Sequence, residues 1–180
     1  MLFTELAIGG AFLMDIESHR DDRGFFARTF CSHEFEERGL VSTIAQCSTS
    51  FNAIRGTLRG MHYQAVPHEE TKVVRCTAGA IFDVIVDLRS ESTTFGKWVG
   101  AELTALNRRM LYIPKGVAHG FQTIENNTEV FYQISTAFVR DAARGVRWDD
   151  PSLDIAWPFR DSRIISPRDE SFPLVASLKS

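Results

Sequence analysis

Apolar and polar positions alternate with a period of two along much of this chain. The clearest run is 80–89, where Ala80, Phe82, Val84, Val86 and Leu88 stand against Ile81, Asp83, Ile85, Asp87 and Arg89. A backbone that sends successive side chains to opposite faces is a β-strand. The run 129–135 alternates in the same way and puts Val130, Tyr132 and Ile134 on one face. Shorter strands are predicted over 12–16, 44–50, 72–77, 99–103 and 110–113, with glycine, proline or asparagine in many of the gaps. Helix is scarce: 32–38, with Ser32 as N-cap and Gly39 closing it, and a single turn over 141–144. Short strands at this spacing imply an all-β sandwich or barrel of jelly-roll type. Four of the six prolines fall between 151 and 173, so an extended tail is expected to wrap the barrel from about 151.

The 180 residues fit a single domain, and an apolar share of 44% supplies a packed core. A net charge of −3 argues against nucleic acid or an anionic membrane as the main partner. The basic residues are 16 Arg against 4 Lys, and Arg is the side chain that grips phosphate or carboxylate bidentately. Three widely spaced cysteines, Cys31, Cys47 and Cys76, form no CxxC pair and no disulfide framework. No stretch approaches the roughly 20 apolar residues of a membrane span, and no basic leader opens the chain. A soluble, cytoplasmic protein is expected.

The chemistry concentrates in Arg59-Gly60-Met61-His62-Tyr63-Gln64, in Lys72, in Ala118-His119-Gly120-Phe121 and in Tyr132. One reading is a metal-binding barrel that uses His62, His68, Glu69, Glu70 and His119 as ligands. Its spacing is wrong for the usual His-x-His start, because Gln64 stands two after His62. A second reading needs no metal: a histidine base, a lysine beside a developing oxyanion and a tyrosine that returns a proton. Proton abstraction next to a carbonyl requires those three roles.

Several motifs in register decide between the two. Asp22-Arg23-Gly24-Phe25-Phe26, the segment 59–64, Lys72-Val73-Val74-Arg75, the strand 82–89, Thr94-Phe95-Gly96-Lys97-Trp98, the segment 113–121, Trp148-Asp149-Asp150-Pro151, Ile155-Ala156-Trp157-Pro158 and Ser166-Pro167-Arg168-Asp169 follow in order. Together they resemble the dTDP-4-dehydrorhamnose 3,5-epimerase family from about residue 12 to 174. The resemblance implies a cofactor-free, cupin-like jelly roll that holds no metal. It also implies a homodimer with exchanged N-terminal strands, acting on a nucleotide-diphospho-4-keto-6-deoxy sugar at C3, C5 or both. By that resemblance His62 is the base, Asp169 its carboxylate, Lys72 the group beside the C4 oxygen and Tyr132 the proton donor on the opposite face. Arg23, Arg59 and Arg168 are expected at the pyrophosphate, with Phe26 and His119 as further substrate contacts and Phe138 stacked on the nucleobase. Tyr63, Trp98, Phe121 and Trp148 read as core, while Asp83 and Asp87 are left open between lining the cavity, solvent exposure and an Arg partner.

The departures from the family pattern lie at the nucleotide. Arg28 stands where an acidic residue is usual, Cys47-Ser48-Thr49 align with a Gln-Asp-Asn run that contacts thymine, and Ala143 aligns with a Glu. A mismatched buried polar group costs about 1–3 kcal/mol. The implication is either a nucleotide other than dTDP or thymine held in another way. Outside the epimerase reading stand a metal-dependent cupin enzyme and a non-catalytic sugar-nucleotide binding module.

Overall fold

The computed structural model of the protein describes residues 1–179. Strands β1 (Leu2–Glu5) and β2 (Phe12–Asp15) open the chain, followed by β3 (Ser18–Asp21), β4 (Gly24–Ala27) and helix α1 (Ser32–Glu36). Then come β5 (Gln46–Asn52), β6 (Leu58–Gln64), β7 (Lys72–Ala78), β8 (Ala80–Asp87), β9 (Trp98–Thr104), β10 (Met110–Ile113), β11 (Val117–Thr123), β12 (Thr128–Ile134) and β13 (Ala143–Gly145). A short helix α2 (Pro167–Glu170) lies near the end. Two antiparallel sheets face each other, ordered β1-β2-β10-β7-β12-β5 and β13-β6-β11-β8-β9. This is a jelly-roll barrel.

The strand predicted over 110–113 matches β10, and most of the others agree to within two residues at either end. Ser32 is not the cap of α1: Cys31 occupies that position, with no side-chain capping bond. The turn expected over 141–144 is a 3₁₀ turn at Arg140–Ala142 that runs directly into β13.

Both faces of β8 are buried, for different reasons. Ile81 and Ile85 point between the sheets with Val74, Leu111 and Val130. Val84, Val86 and Phe82 point outward, where Trp148, Leu153, Ile155 and Trp157 cover them. The Pro-rich segment therefore adds a second core to the outside of the barrel, and each large side chain so buried contributes about 1.5–3 kcal/mol. Its backbone is fixed at both edges. Leu58 N donates to the Ile164 carbonyl at 2.8 Å. Buried Gln122 exchanges two hydrogen bonds, both 2.9 Å, with the main chain of Phe159.

Strands β1 and β2 pair within this chain's own sheet. The β3–β4 hairpin belongs to neither sheet, and seven of its eight strand residues are exposed.

Candidate active site

Strand β6 carries His62 on the second sheet, and its neighbour β11 carries His119 directly opposite it in register. On the first sheet Lys72 pairs with Ile134, and Tyr132 lies two residues back on the same inward face. The register of β12 with β5 sets Tyr132 opposite Ser48. These strands enclose a cavity of about 540 Å³ lined by Ser48, Thr49, Arg59, His62, Lys72, His119, Tyr132, Phe138 and Arg168. Such a volume suits a small-molecule ligand.

His62 is held from behind. Its Nε2 lies 2.8 Å from Asp169 Oδ1, and the second carboxylate oxygen accepts from Gly60 N at 3.1 Å. Ser166 Oγ accepts the amide of Asp169 and caps α2, which fixes the carboxylate on the last short helix. Burial works against the charged form of Asp169, but the bonds from His62, Gly60 and Ser166 outweigh it and hold the carboxyl below its ordinary range. Gly60 is required here because β6 and β11 nearly touch. A Cβ on it would stand 2.5 Å from Gly120 Cα. The ring edge of Phe172, from the C-terminal segment, packs on His62 at 5.7 Å between centroids.

Across the cavity, burial and the nearby Asp83 charge push the Tyr132 phenol well above its ordinary range, against the opposing Arg59 charge. It therefore keeps its proton at neutral pH. His119 stands edge-on to that ring, 6.0 Å away. Its Nε2 meets the fully buried Asp83 Oδ1 at 2.7 Å. Burial raises the Asp83 carboxyl, with His119 and Lys72 opposing the shift. Asp83 is thus the partner of a cavity histidine, while Asp87 takes Arg89 bidentately. Arg59 is steadied through Nε by Asn52 Oδ1 at 2.7 Å. Arg59, Arg144 and Arg168 all line the cavity. None of the three is among the arginines paired with a carboxylate in the described residues.

Four expected substrate contacts do not reach this cavity within one chain. Arg23 lies at the tip of the β3–β4 hairpin and is 89% exposed, bound to Asp21. Phe26 is 76% exposed on the same hairpin. Arg28 pairs with Glu34 at 3.0 Å. Cys47 is exposed and does not line the cavity, although Gln46, Ser48, Thr49 and Ser50 of the same strand do. Tyr63 and Phe121, expected in the core, also border the cavity, whereas Trp98 and Trp148 belong to the outer core. Gln64 and Arg144 line it without having been picked out as binding residues, and Glu70 lines it although it was considered only as a metal ligand. Gln64 had a visible signal in its place at the end of the 59–64 motif, and Arg144 had none. Among the described residues no three His, Cys, Asp or Glu side chains converge as a metal-binding group.

A jelly roll with a His–Asp dyad on one wall and a protonated tyrosine on the other defines an acid–base site built from side chains. The profile described as dTDP-4-dehydrorhamnose 3,5-epimerase matches residues 5–177. The chain is 38% identical over 178 residues to the dTDP-4-dehydrorhamnose 3,5-epimerase of Sinorhizobium fredii, covering 99% of this chain and 91% of the relative. It is 36% identical over 180 residues to the dTDP-4-dehydrorhamnose 3-epimerase of Streptomyces niveus, covering 99% and 86%. The crystal structure of the Bacillus anthracis 3,5-epimerase with TDP and PPi bound superposes with a TM-score of 0.92 at 40% identity, covering 96% of this chain and 98% of that one. The chain belongs to the dTDP-4-dehydrorhamnose 3,5-epimerase family.

Proposed function

We propose that the protein epimerises a nucleotide-diphospho-4-keto-6-deoxyhexose at C3, C5 or both. The observation that carries this reading is the placement of His62 on one sheet, backed by Asp169 of α2, and of protonated Tyr132 on the facing sheet. The C4 ketone acidifies the C–H bonds on either side of it. His62 removes a proton, and the electron pair of that bond moves to the C4 oxygen to give an enolate. The Lys72 ammonium stabilises that oxygen. Tyr132 then delivers a proton to the opposite face, which inverts the centre. Return from the original side would restore the starting sugar. His62 passes its proton to solvent and the tyrosinate takes one back, so the cycle closes without net proton change. Asp169 fixes the imidazole tautomer and offsets the charge that His62 acquires.

Arg59, Arg144 and Arg168 give the cavity a positive wall suited to a diphosphate. A second copy of the chain fits the β3–β4 hairpin, whose Arg23 and Phe26 find no site in their own protomer. We read the hairpin as the exchanged element of a homodimer that completes the neighbouring cavity. Incubation with dTDP- or CDP-4-keto-6-deoxyglucose in deuterated water tests the reaction, with deuterium entering at C3 or C5. A His62→Ala protein exchanging at the wild-type rate sinks the assigned base. Binding of the nucleotide sugar with no exchange in the wild type favours the non-catalytic module instead.

A further inference from the structure

Lys72 does not stand alone in the cavity wall. Its Nζ lies 2.9 Å from Glu70 Oε1, and both side chains are only 10% exposed. The other carboxylate oxygen of Glu70 accepts from Gln64 Nε2 at 2.9 Å. Gln64 is itself buried, and its Oε1 accepts from Val139 N at 2.7 Å. One residue earlier, Phe138 N donates to Gln46 Oε1 at 2.9 Å. The two amides beside the aromatic that borders the cavity are therefore each held by a glutamine, and one of those glutamines also holds the partner of the lysine.

We propose that Glu70 is a positioning residue for Lys72: it keeps the ammonium charged and aimed into the cavity, and Gln64 locks Glu70 in turn. The inference rests on the reading of Lys72 as the group that stabilises the enolate oxygen. A buried ammonium without a counter-charge is heavily penalised and readily gives up its proton. Glu70 removes that penalty while occupying one of the three N–H donors, leaving two for the C4 oxygen. Because Gln64 satisfies the second oxygen, the carboxylate cannot swing into the cavity and compete with substrate. Arg59, His62, His119, Tyr132, Arg144 and Arg168 line the same cavity as Lys72, and the Asp83 carboxyl on β8 interacts with its charge. Asp83 is engaged by His119, which leaves Glu70 as the carboxylate in direct contact with the ammonium. Through Gln64 the lysine also shares a hydrogen-bonded chain with the Phe138 segment, so the sugar end and the nucleotide end of the site are tied together.

Competitive acetylation of the full-length protein with acetic anhydride, read peptide by peptide by mass spectrometry, follows Lys72 across pH without any turnover. The isosteric Glu70→Gln change is expected to move the Lys72 labelling profile to lower pH by about one unit or more. It is expected to cut kcat about 10- to 100-fold with KM changed less than about threefold, the mark of an interaction made in the transition state. Glu70→Asp should recover part of the loss, and Gln64→Met should weaken turnover in the wild-type background but not further in Glu70→Gln. An unshifted labelling profile, with Lys72→Met inactive, overturns the role of Glu70 alone. Wild-type turnover in Lys72→Met overturns the assignment of Lys72 itself.

Discussion

His62 and Asp169 meet at 2.8 Å although 107 residues separate them in the chain. One sits mid-strand in the barrel wall, the other in the first turn of a helix that the C-terminal segment carries across the outside. The dyad is thus a tertiary contact between barrel and tail. Asp169→Asn keeps the shape but removes the charge that offsets the imidazolium. Solvent-deuterium exchange into substrate is expected to fall by about 10²-fold or more.

Tyr132 is expected to separate proton removal from proton return. With Tyr132→Phe, His62 still exchanges substrate hydrogen with solvent, but no phenol stands on the opposite face. Deuterium should therefore appear at C3 or C5 in recovered starting sugar, while inverted product drops by about 10²-fold or more. NMR of the recovered nucleotide sugar distinguishes the two. Loss of exchange and inversion together would return Tyr132 to a packing role.

The hairpin predicts complementation. Arg23→Ala and His62→Ala proteins should both be impaired. If the proposed exchange occurs, mixing and refolding them together gives pairs in which one cavity has His62 from one chain and Arg23 from the other. Recovery of turnover well above either parent supports exchange of the hairpin, and an unchanged sum of the parents argues for a cavity closed within one chain.

Asp87 governs acid stability. Its buried carboxylate accepts from Arg89, Ser92 Oγ and Thr94 Oγ1. Burial opposes its ionisation, but these bonds win and hold it well below the ordinary carboxylate range. The folded protein therefore binds fewer protons here than the unfolded chain. The stabilisation is complete above the unfolded value of about 4 and fades as pH falls towards the folded value. Melting temperature should decline on acidification below about pH 4, and less steeply in Asp87→Asn, whose starting stability is lower.

Gly145 leaves no room for a side chain: a Cβ would stand 2.4 Å from the Phe172 ring and 2.6 Å from the Met61 carbonyl oxygen. Gly145→Ala is expected to cost about 1–3 kcal/mol in urea unfolding and to loosen the ring that packs on His62. A neutral result would mean that Phe172 moves freely.

Strand β12 was legible because buried Thr128, Val130 and Ile134 alternate with partly exposed Glu129, Phe131 and Gln133. Strand β11 was not, since all seven of its residues are buried and no period survives. Alternation in 80–89 was read correctly as a strand, but it could not say that the apolar set faces outward under the tail while Asp83 lies on the inward side. The dyad, Lys72 and Tyr132 were legible only through motifs recurring in a known order; residue types alone left the metal reading open. Glu70 was legible only as a possible metal ligand and Arg144 not at all, because their places come from tertiary contacts rather than from spacing along one strand. Cys47 misled for the same reason: adjacent in sequence to Ser48, it is exposed and does not line the cavity that Ser48 borders.

The outer layer formed by Trp148, Leu153, Ile155 and Trp157 has a consequence for control of the reaction. These side chains seat the same segment that delivers Asp169 and Phe172 to His62. A local opening of this layer, with the cavity walls left intact, would strip the base of its carboxylate and silence the enzyme before the barrel itself melts. Heat inactivation should therefore precede global unfolding, and the gap between the two would measure how tightly the tail is fastened.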